Sequence, residues 1–250
     1  MRSVVLTWHK LLVPPRELRL EATLENGQCF GWHRQDGDAS HSSWVGVLGR
    51  RLLELKETET DCLFRCLNEE AAGGASVAED ELREELRSYF QLDTPLAPLY
   101  ETWSAADHRM AMVARALPGM RVLRQEPVEC LFSFICSSNN NIGRIGGMLD
   151  ALRRRYGTPI LPEAEVEPRG HGGTSDFFAF PTAQALAGAS DEELRGLGLG
   201  YRAAYVRQTA AVLCERGDQW LPSLRQLTDV ERVRAELCEL AGVGPKVRVT

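Results

Sequence analysis

The sequence predicts an α+β protein: an antiparallel β-sheet lobe with helices, then an all-helical lobe. Three observations predict it. Apolar and polar residues alternate through much of the first seventy positions, the apolar period becomes helical from about residue 79, and a capped helix near the end runs into a Gly-x-Gly turn. The 250 residues suffice for two compact lobes, expected over 1–112 and 113–250.

Leu18, Leu20, Ala22 and Leu24 alternate with Arg19, Glu21 and Thr23, the pattern of a half-buried strand. Asn26-Gly27 is a turn signal, after which Cys29 to Arg34 resumes an extended, aromatic pattern. Trp44 to Leu55 and Cys62 to Cys66 read as further strands of the same antiparallel sheet. Ala71 to Ala75 is a link of small residues, and Ser76-x-x-Glu79 is a capping box. It opens a helix with Leu82, Leu86, Tyr89 and Phe90 on one face.

Pro127 suits the first turn of a helix carrying Cys130, Leu131, Phe134 and Ile135, which Asn139 to Asn141 break. A second helix runs from Ile142 to Tyr156 and stops at Gly157, with Arg153, Arg154 and Arg155 favourably placed at its C-terminal end. Pro159 to Asp176, rich in Pro, Gly and Glu, reads as a loop or insertion. Ser190-x-x-Glu193 and Thr228-x-x-Glu231 are two more capping boxes, and Tyr201 to Arg216 forms a longer helix between them.

Composition narrows the function classes. The content is 44% hydrophobic and 26% charged, an ordinary globular balance. No apolar run approaches the length of a membrane span, so no membrane partner is expected. Met1 to Pro15 carries Arg2 and Lys10 and no acid, which is too weakly patterned for a targeting segment and leaves a mitochondrial presequence open. The seven cysteines are odd in number and show no Cys-x-x-Cys, so reduced thiols are expected rather than a disulfide framework or a zinc site. The five histidines form no ligand spacing.

The net charge of −6 argues against a nucleic-acid partner. Its distribution softens that argument. Residues 1–120 hold 13 basic and 19 acidic residues, whereas 121–250 hold 16 of each, and a neutral half can still present a basic face.

Chemistry enters at Leu240-Ala241-Gly242-Val243-Gly244-Pro245-Lys246, directly after the helix from Thr228 to Glu239. Gly242 and Gly244 bracket Val243 in a tight turn, and Pro245 suits the first position of a new helix. The pattern is a helix-hairpin-helix. Its glycines let the backbone approach closely, so turn N–H groups and the positive end of the next helix can hold a phosphate. Carbonyls of Cys238, Leu240 and Val243 are candidate ligands for a monovalent cation bridging to that phosphate. The bland alternative is a helical hairpin packed on its glycines with Lys246 as a solvated charge. Lys246 is one of only three lysines among 29 basic residues. In the first turn of a helix the dipole disfavours an ammonium, and partial burial lowers the amine's pKa further. A neutral amine there is a nucleophile able to attack a sugar carbon and form a Schiff base.

Longer motifs identify a family. The run Glu126-Pro127-Val128-Glu129-Cys130-Leu131-Phe132-Ser133-Phe134-Ile135-Cys136-Ser137-Ser138-Asn139-Asn140-Asn141-Ile142 closely resembles a signature segment of the eukaryotic 8-oxoguanine DNA glycosylases. So do Gly198-Leu199-Gly200-Tyr201-Arg202-Ala203, Phe90-Gln91-Leu92-Asp93 and Glu17-Leu18-Arg19-Leu20. The likeness covers about Pro15 to Val247.

The resemblance implies a base-excision-repair glycosylase with an associated β-elimination lyase. Its implied partner is double-stranded DNA with 8-oxoguanine paired to cytosine, and it implies no required cofactor, a monomer, and a nuclear location with the mitochondrion as an option. By the same resemblance Lys246 attacks the sugar C1′ and expels the base once it has left the stack. Asn139 fills the vacated space, Arg144 and Arg202 hydrogen-bond the orphaned cytosine, and Tyr201 wedges the kinked stack. The Gly27 carbonyl accepts the N7 hydrogen that 8-oxoguanine has and guanine lacks. Each has a plainer reading: Asn139 to Asn141 as a helix cap, the two arginines as surface charges, Tyr201 as half-buried core, Gly27 as a hairpin turn.

Three departures stand out. No Val-Asp-x-His stretch follows the hairpin to supply the family's aspartate. Val247-Arg248-Val249-Thr250 stands where Val-Ala-Asp-Cys is expected, and Gly31 stands where an arginine is common. The expectation is a truncated or alternatively spliced product, either active or reduced to an inactive chain that at most binds damaged DNA.

Overall fold

The computed structural model describes residues 7–35, 42–68, 79–160 and 177–244. The chain divides into two compact units, Met1–Gln125 and Glu126–Thr250. A boundary at 112/113 would cut a helix, His108–Ala116.

The first unit holds an antiparallel sheet ordered β1-β5-β4-β3-β2. Its strands are β1 (His9–Lys10), β2 (Trp32–Gln35), β3 (Ser43–Leu48), β4 (Arg51–Glu57) and β5 (Cys62–Cys66). The span predicted as one strand from Trp44 to Leu55 is the β3–β4 hairpin, turned at Gly49. Period-2 alternation puts Cys62, Phe64 and Cys66 in the core, and the register pairs Leu55 with both Trp44 and Phe64. Against them pack Leu82, Leu86, Tyr89 and Phe90, borne by α2 (Glu79–Tyr89) and the residue after it. The helical face expected from sequence is therefore the buried one. The Ala71–Ala75 link and the Ser76 cap lie outside the described residues.

The strand expected over Leu18–Leu24 is a helix, α1 (Leu20–Leu24). Leu20, Thr23 and Leu24 are buried, a spacing of three and four. Thr23 hid this period because it reads as polar. Its hydroxyl donates to the Gly119 carbonyl at 3.4 Å and accepts from the Arg121 N–H at 3.2 Å, so a polar residue sits on the inner face. Two further helices, α3 (Leu96–Ala106) and α4 (His108–Ala116), complete the first unit, with Asp107 capping α4 through the Met110 N–H.

The second unit is helical, as predicted. Its elements are α5 (Pro127–Cys136), α6 (Ile142–Tyr156), α7 (Ala183–Ala187), α8 (Asp191–Gly196), α9 (Arg202–Arg216), α10 (Trp220–Ser223), a 3-10 turn at Leu224–Gln226 and α11 (Val230–Cys238). Pro127 occupies the first turn of α5, where its missing N–H costs nothing. Leu131, Phe132, Ile135 and Cys136 of α5 and Ile145, Met148, Leu149 and Leu152 of α6 are all buried, and the two helices pack against each other. Arg153 lies buried beside Glu129 and Asp150, and its guanidinium sits 5.5 Å from the Phe180 ring. Ser190 and Glu193 form the complete capping box expected of α8. The cap of α11 is one residue later than predicted. Asp229, not Thr228, accepts the Glu231 and Arg232 N–H groups, because a carboxylate at the helix start also complements the dipole. Of the expected Pro159–Asp176 loop, Pro159 forms a bridge to Phe178, and 161–176 lie outside the described residues.

Among the described residues no helix is long and apolar enough to cross a membrane.

Candidate active site

Three segments of the second unit carry its candidate residues: the loop Ser137–Asn141 with the first turn of α6, the start of α9, and the hairpin turn after α11. The loop exists because α5 cannot continue. Asn139 adopts φ +46, a left-handed conformation that asparagine tolerates better than most residues. Asn140 folds back, donating from its amide to the Cys136 carbonyl at 3.0 Å. Asn141 caps α6 through the Arg144 N–H at 3.0 Å. The cap reading is thus true of Asn141, and Asn139 is left exposed at the apex.

Arg202 holds this loop from behind. It is 4% exposed, although an arginine in sequence suggests surface. Its Nε donates to the Ser138 carbonyl at 3.0 Å, Nη2 donates to the Ser138 and Asn139 carbonyls (3.1 Å to the latter), and Nη1 reaches the Leu199 carbonyl at 3.4 Å. Three of the five N–H groups of the fork are thereby directed at loop carbonyls and a fourth at the Leu199 carbonyl just before α9. Tyr201 adds its hydroxyl to the Ser138 carbonyl at 3.1 Å, and the guanidinium carbon lies 4.5 Å from its ring centre. Arg144 is exposed in the first turn of α6. The two arginines expected to act as a pair therefore occupy different environments: Arg202 is committed to the loop backbone and Arg144 faces outward.

Tyr201 is 46% exposed, so it lies at the surface and not in the core. Its ring meets Tyr205 edge-on at 5.9 Å. Tyr205 in turn covers the hairpin. A Cβ at Gly242 would lie 2.9 Å from its ring carbon Cγ, and Gly242 has φ +81. Both facts require glycine there. Val243 donates its N–H to the Leu240 carbonyl at 3.1 Å, closing the turn. Thr209, fully buried, donates its hydroxyl to the Ala241 carbonyl at 2.9 Å. Sequence reasoning missed Tyr205 and Thr209. The available signal was the successive spacing of four from Tyr201 to Tyr205 to Thr209, which puts all three on one face of α9. Gly244 is described, whereas Pro245 and Lys246 lie outside the described residues.

Gly27 belongs to the first unit. The turn joins α1 to β2 rather than two strands, so it is no hairpin turn, and Gly27 has φ +84. Asn26 accepts the Gln28 N–H at 3.1 Å across it. The Gln28 side chain donates to the Thr23 and Arg121 carbonyls at 2.8 and 2.7 Å and accepts the Leu123 N–H at 3.0 Å. The loop that presents the Gly27 carbonyl is anchored on both sides.

All seven cysteines are free. Burial pushes the Cys136 thiol up to about 12, with nearby Arg202 opposing the shift, and burial likewise raises Cys130 to about 11. Neither is an activated nucleophile.

Known proteins share this architecture. Residues 10–131 match the N-terminal domain of 8-oxoguanine DNA glycosylase, and residues 132–245 match the HhH-GPD superfamily of base excision DNA repair proteins. The N-glycosylase/DNA lyase OGG1 of Arabidopsis thaliana is 36% identical over 96% of this chain and 61% of its own length. The N-glycosylase/DNA lyase of Saccharomyces cerevisiae is 33% identical over 95% of this chain and 63% of its own. The chain thus spans a little over three fifths of the length of these curated relatives. The apo form of the Clostridium acetobutylicum 8-oxoguanine glycosylase/lyase superposes with a TM-score of 0.76 at 24% identity, covering 99% of this chain and 79% of that one. Its complex with double-stranded DNA containing cytosine opposite 8-oxoguanine gives 0.75, covering 93% and 71%. The chain belongs to the 8-oxoguanine DNA glycosylase family, carrying that family's N-terminal domain followed by the helix-hairpin-helix domain of base excision repair.

Proposed function

We propose that this chain is a base-excision-repair glycosylase that removes 8-oxoguanine opposite cytosine, with an associated lyase step through Lys246. The observation that carries the proposal is α9, which presents Tyr201 and Arg202 to the Asn139 loop at one end and Tyr205 and Thr209 to the hairpin turn further along. A duplex bound along that face meets a wedge, a gap-filling side chain and a phosphate grip on one rigid support.

The steps assign as follows. Gly242, Val243 and Gly244 offer close backbone approach to a phosphate. The exposed Asn139 enters the space of the extruded nucleotide while Tyr201 holds the step open. Arg144 addresses the orphaned cytosine, and Arg202 does so only by surrendering carbonyls of the loop. The Gly27 carbonyl accepts the N7 hydrogen of the lesion. The neutral Lys246 amine forms a bond to C1′ as the bond to the base breaks, and the departing base takes up a proton. Ring opening gives a Schiff base, and loss of a proton from C2′ then expels the 3′ phosphate.

No dissociable cofactor enters these steps. A monovalent cation bound by the carbonyls of Cys238, Leu240 and Val243 would add positive charge beside the phosphate. The donor set of neutral carbonyl oxygens suits a hard alkali ion and not a transition metal. α11 ends at Cys238, so its last carbonyls lie beyond the regular helical ladder. We further propose that the chain acts as a monomer on nuclear DNA, with mitochondrial DNA as the second location. A fluorescent fusion examined in cells tests the location.

The test of function is strand cleavage on duplexes carrying 8-oxoguanine·cytosine, 8-oxoguanine·adenine, an alkylated base, or guanine·cytosine. The proposal predicts preference for the first and loss of cleavage in Lys246→Gln. Duplex binding without cleavage by the unaltered chain would leave a lesion-binding protein in its place.

A further inference from the structure

We propose that Thr209, together with Tyr205, is a positioning residue for the hairpin, fixing the turn that leads to Lys246 in register with the loop held by Arg202 and Tyr201. This rests on the reading of Lys246 as the nucleophile. Tyr201, Tyr205 and Thr209 are spaced by four along α9, so they line one face at steps of about 6 Å. Tyr201 bonds the Ser138 carbonyl at 3.1 Å, Tyr205 lies against Gly242, and Thr209 bonds the Ala241 carbonyl at 2.9 Å. One helix therefore spans the distance between two elements far apart in sequence.

The chemistry of Thr209 points to this task rather than to packing alone. It is fully buried on a stripe with Ala203, Val206, Ala210 and Leu213, where valine would fill the same volume without a polar group to satisfy. A helical threonine commonly spends its hydroxyl on its own i−4 carbonyl. Here the hydroxyl reaches out of α9 to a carbonyl of the turn, next to Gly242. Lys246 follows Gly242 by four residues, so rotation of the turn moves the amine relative to the sugar.

The experiment uses the full chain with Thr209→Val, Thr209→Ser, Tyr205→Ala and Tyr205→Phe. Three quantities are measured: melting temperature, affinity for a duplex with a tetrahydrofuran abasic analogue, and the rate of borohydride trapping on an abasic duplex. Thr209→Val is expected to bind within about twofold of the unaltered chain while trapping falls on the order of tenfold. Thr209→Ser restores the rate. Tyr205→Ala, which keeps the buried hydrogen bond, loses rate severalfold, and Tyr205→Phe does not. Trapping by Thr209→Val at the unaltered rate, or a loss that only tracks the folded fraction, overturns the inference and leaves Lys246 standing. No trapping by the unaltered chain overturns both.

Discussion

The Arg202 guanidinium and the Asn139 carbonyl, 63 residues apart, are joined at 3.1 Å, and the residue so held is the left-handed apex of the Asn-rich loop. Removing the fork in Arg202→Met leaves the Ser138 and Asn139 carbonyls without their charged donor. Charge-assisted bonds contribute about 1.5–3 kcal/mol each, and the variant is expected to lose about 3 kcal/mol in denaturant unfolding. Arg202→Lys keeps the charge but not the planar fork, so it recovers only part. Full stability in Arg202→Met would show that the loop holds itself.

Gly242 carries two requirements at once, a positive φ and no Cβ. Gly242→Ala forces a non-glycine residue to φ +81 and brings a methyl to 2.9 Å from the Tyr205 ring. Strained backbone of this kind costs about 1–3 kcal/mol, and relief by moving Tyr205 opens the turn. Duplex affinity in moderate salt is expected to fall at least tenfold, with the circular dichroism of the helices unchanged. Wild-type affinity would remove the turn from the grip.

Asn141 links loop to helix. Asn141→Ala deletes the acceptor for the Arg144 N–H and costs about 1 kcal/mol. The substitution falls at the turn that carries Arg144, so discrimination between cytosine and adenine opposite the damaged base should weaken more than overall affinity. Competition between the two duplexes measures this.

Alkaline pH reports on Cys136. Its thiol sits near 12 in the fold against an ordinary value of 9.0, chiefly through burial. Above pH 9 the unfolded chain ionises this thiol while the folded chain cannot, so unfolding gains and stability falls as pH rises toward 12. Below pH 9 the group contributes no pH dependence. Cys136→Ala should flatten that alkaline decline, read as the difference in melting temperature between pH 8 and pH 10. In the native state maleimide should label the exposed Cys238 and spare Cys136.

Much of this was legible in the sequence. Pro127, Asn141, Gly157 and the Ser190 box mark helix ends by local chemistry that acts within four residues, and the structure places those ends there. The family resemblance was carried by long runs, and the matches over 10–245 agree with it. The Gly49 turn and the Asp229 cap were local signals passed over, whereas the other misreadings come from long-range partners. Thr23 looked polar and outward because Gly119 and Arg121, about a hundred residues on, could not be seen to satisfy it. The plainer reading of Arg202 as a surface charge fails because its partners, the carbonyls of Ser138 and Asn139, lie more than sixty residues away in sequence. Tyr205 and Thr209 passed unremarked because their partners, Gly242 and the Ala241 carbonyl, lie more than thirty residues further on.

Peptide mapping of a borohydride-reduced adduct decides whether Lys246 is the nucleophile. The unaltered chain is incubated with an 8-oxoguanine·cytosine duplex, reduced, digested with protease and nuclease, and sequenced by mass spectrometry. A reduced deoxyribose remnant is expected on the Lys246 side chain, with no adduct in Lys246→Gln. A remnant on Lys10, Lys56 or the N-terminal amine, or an adduct of equal yield in Lys246→Gln, would contradict it.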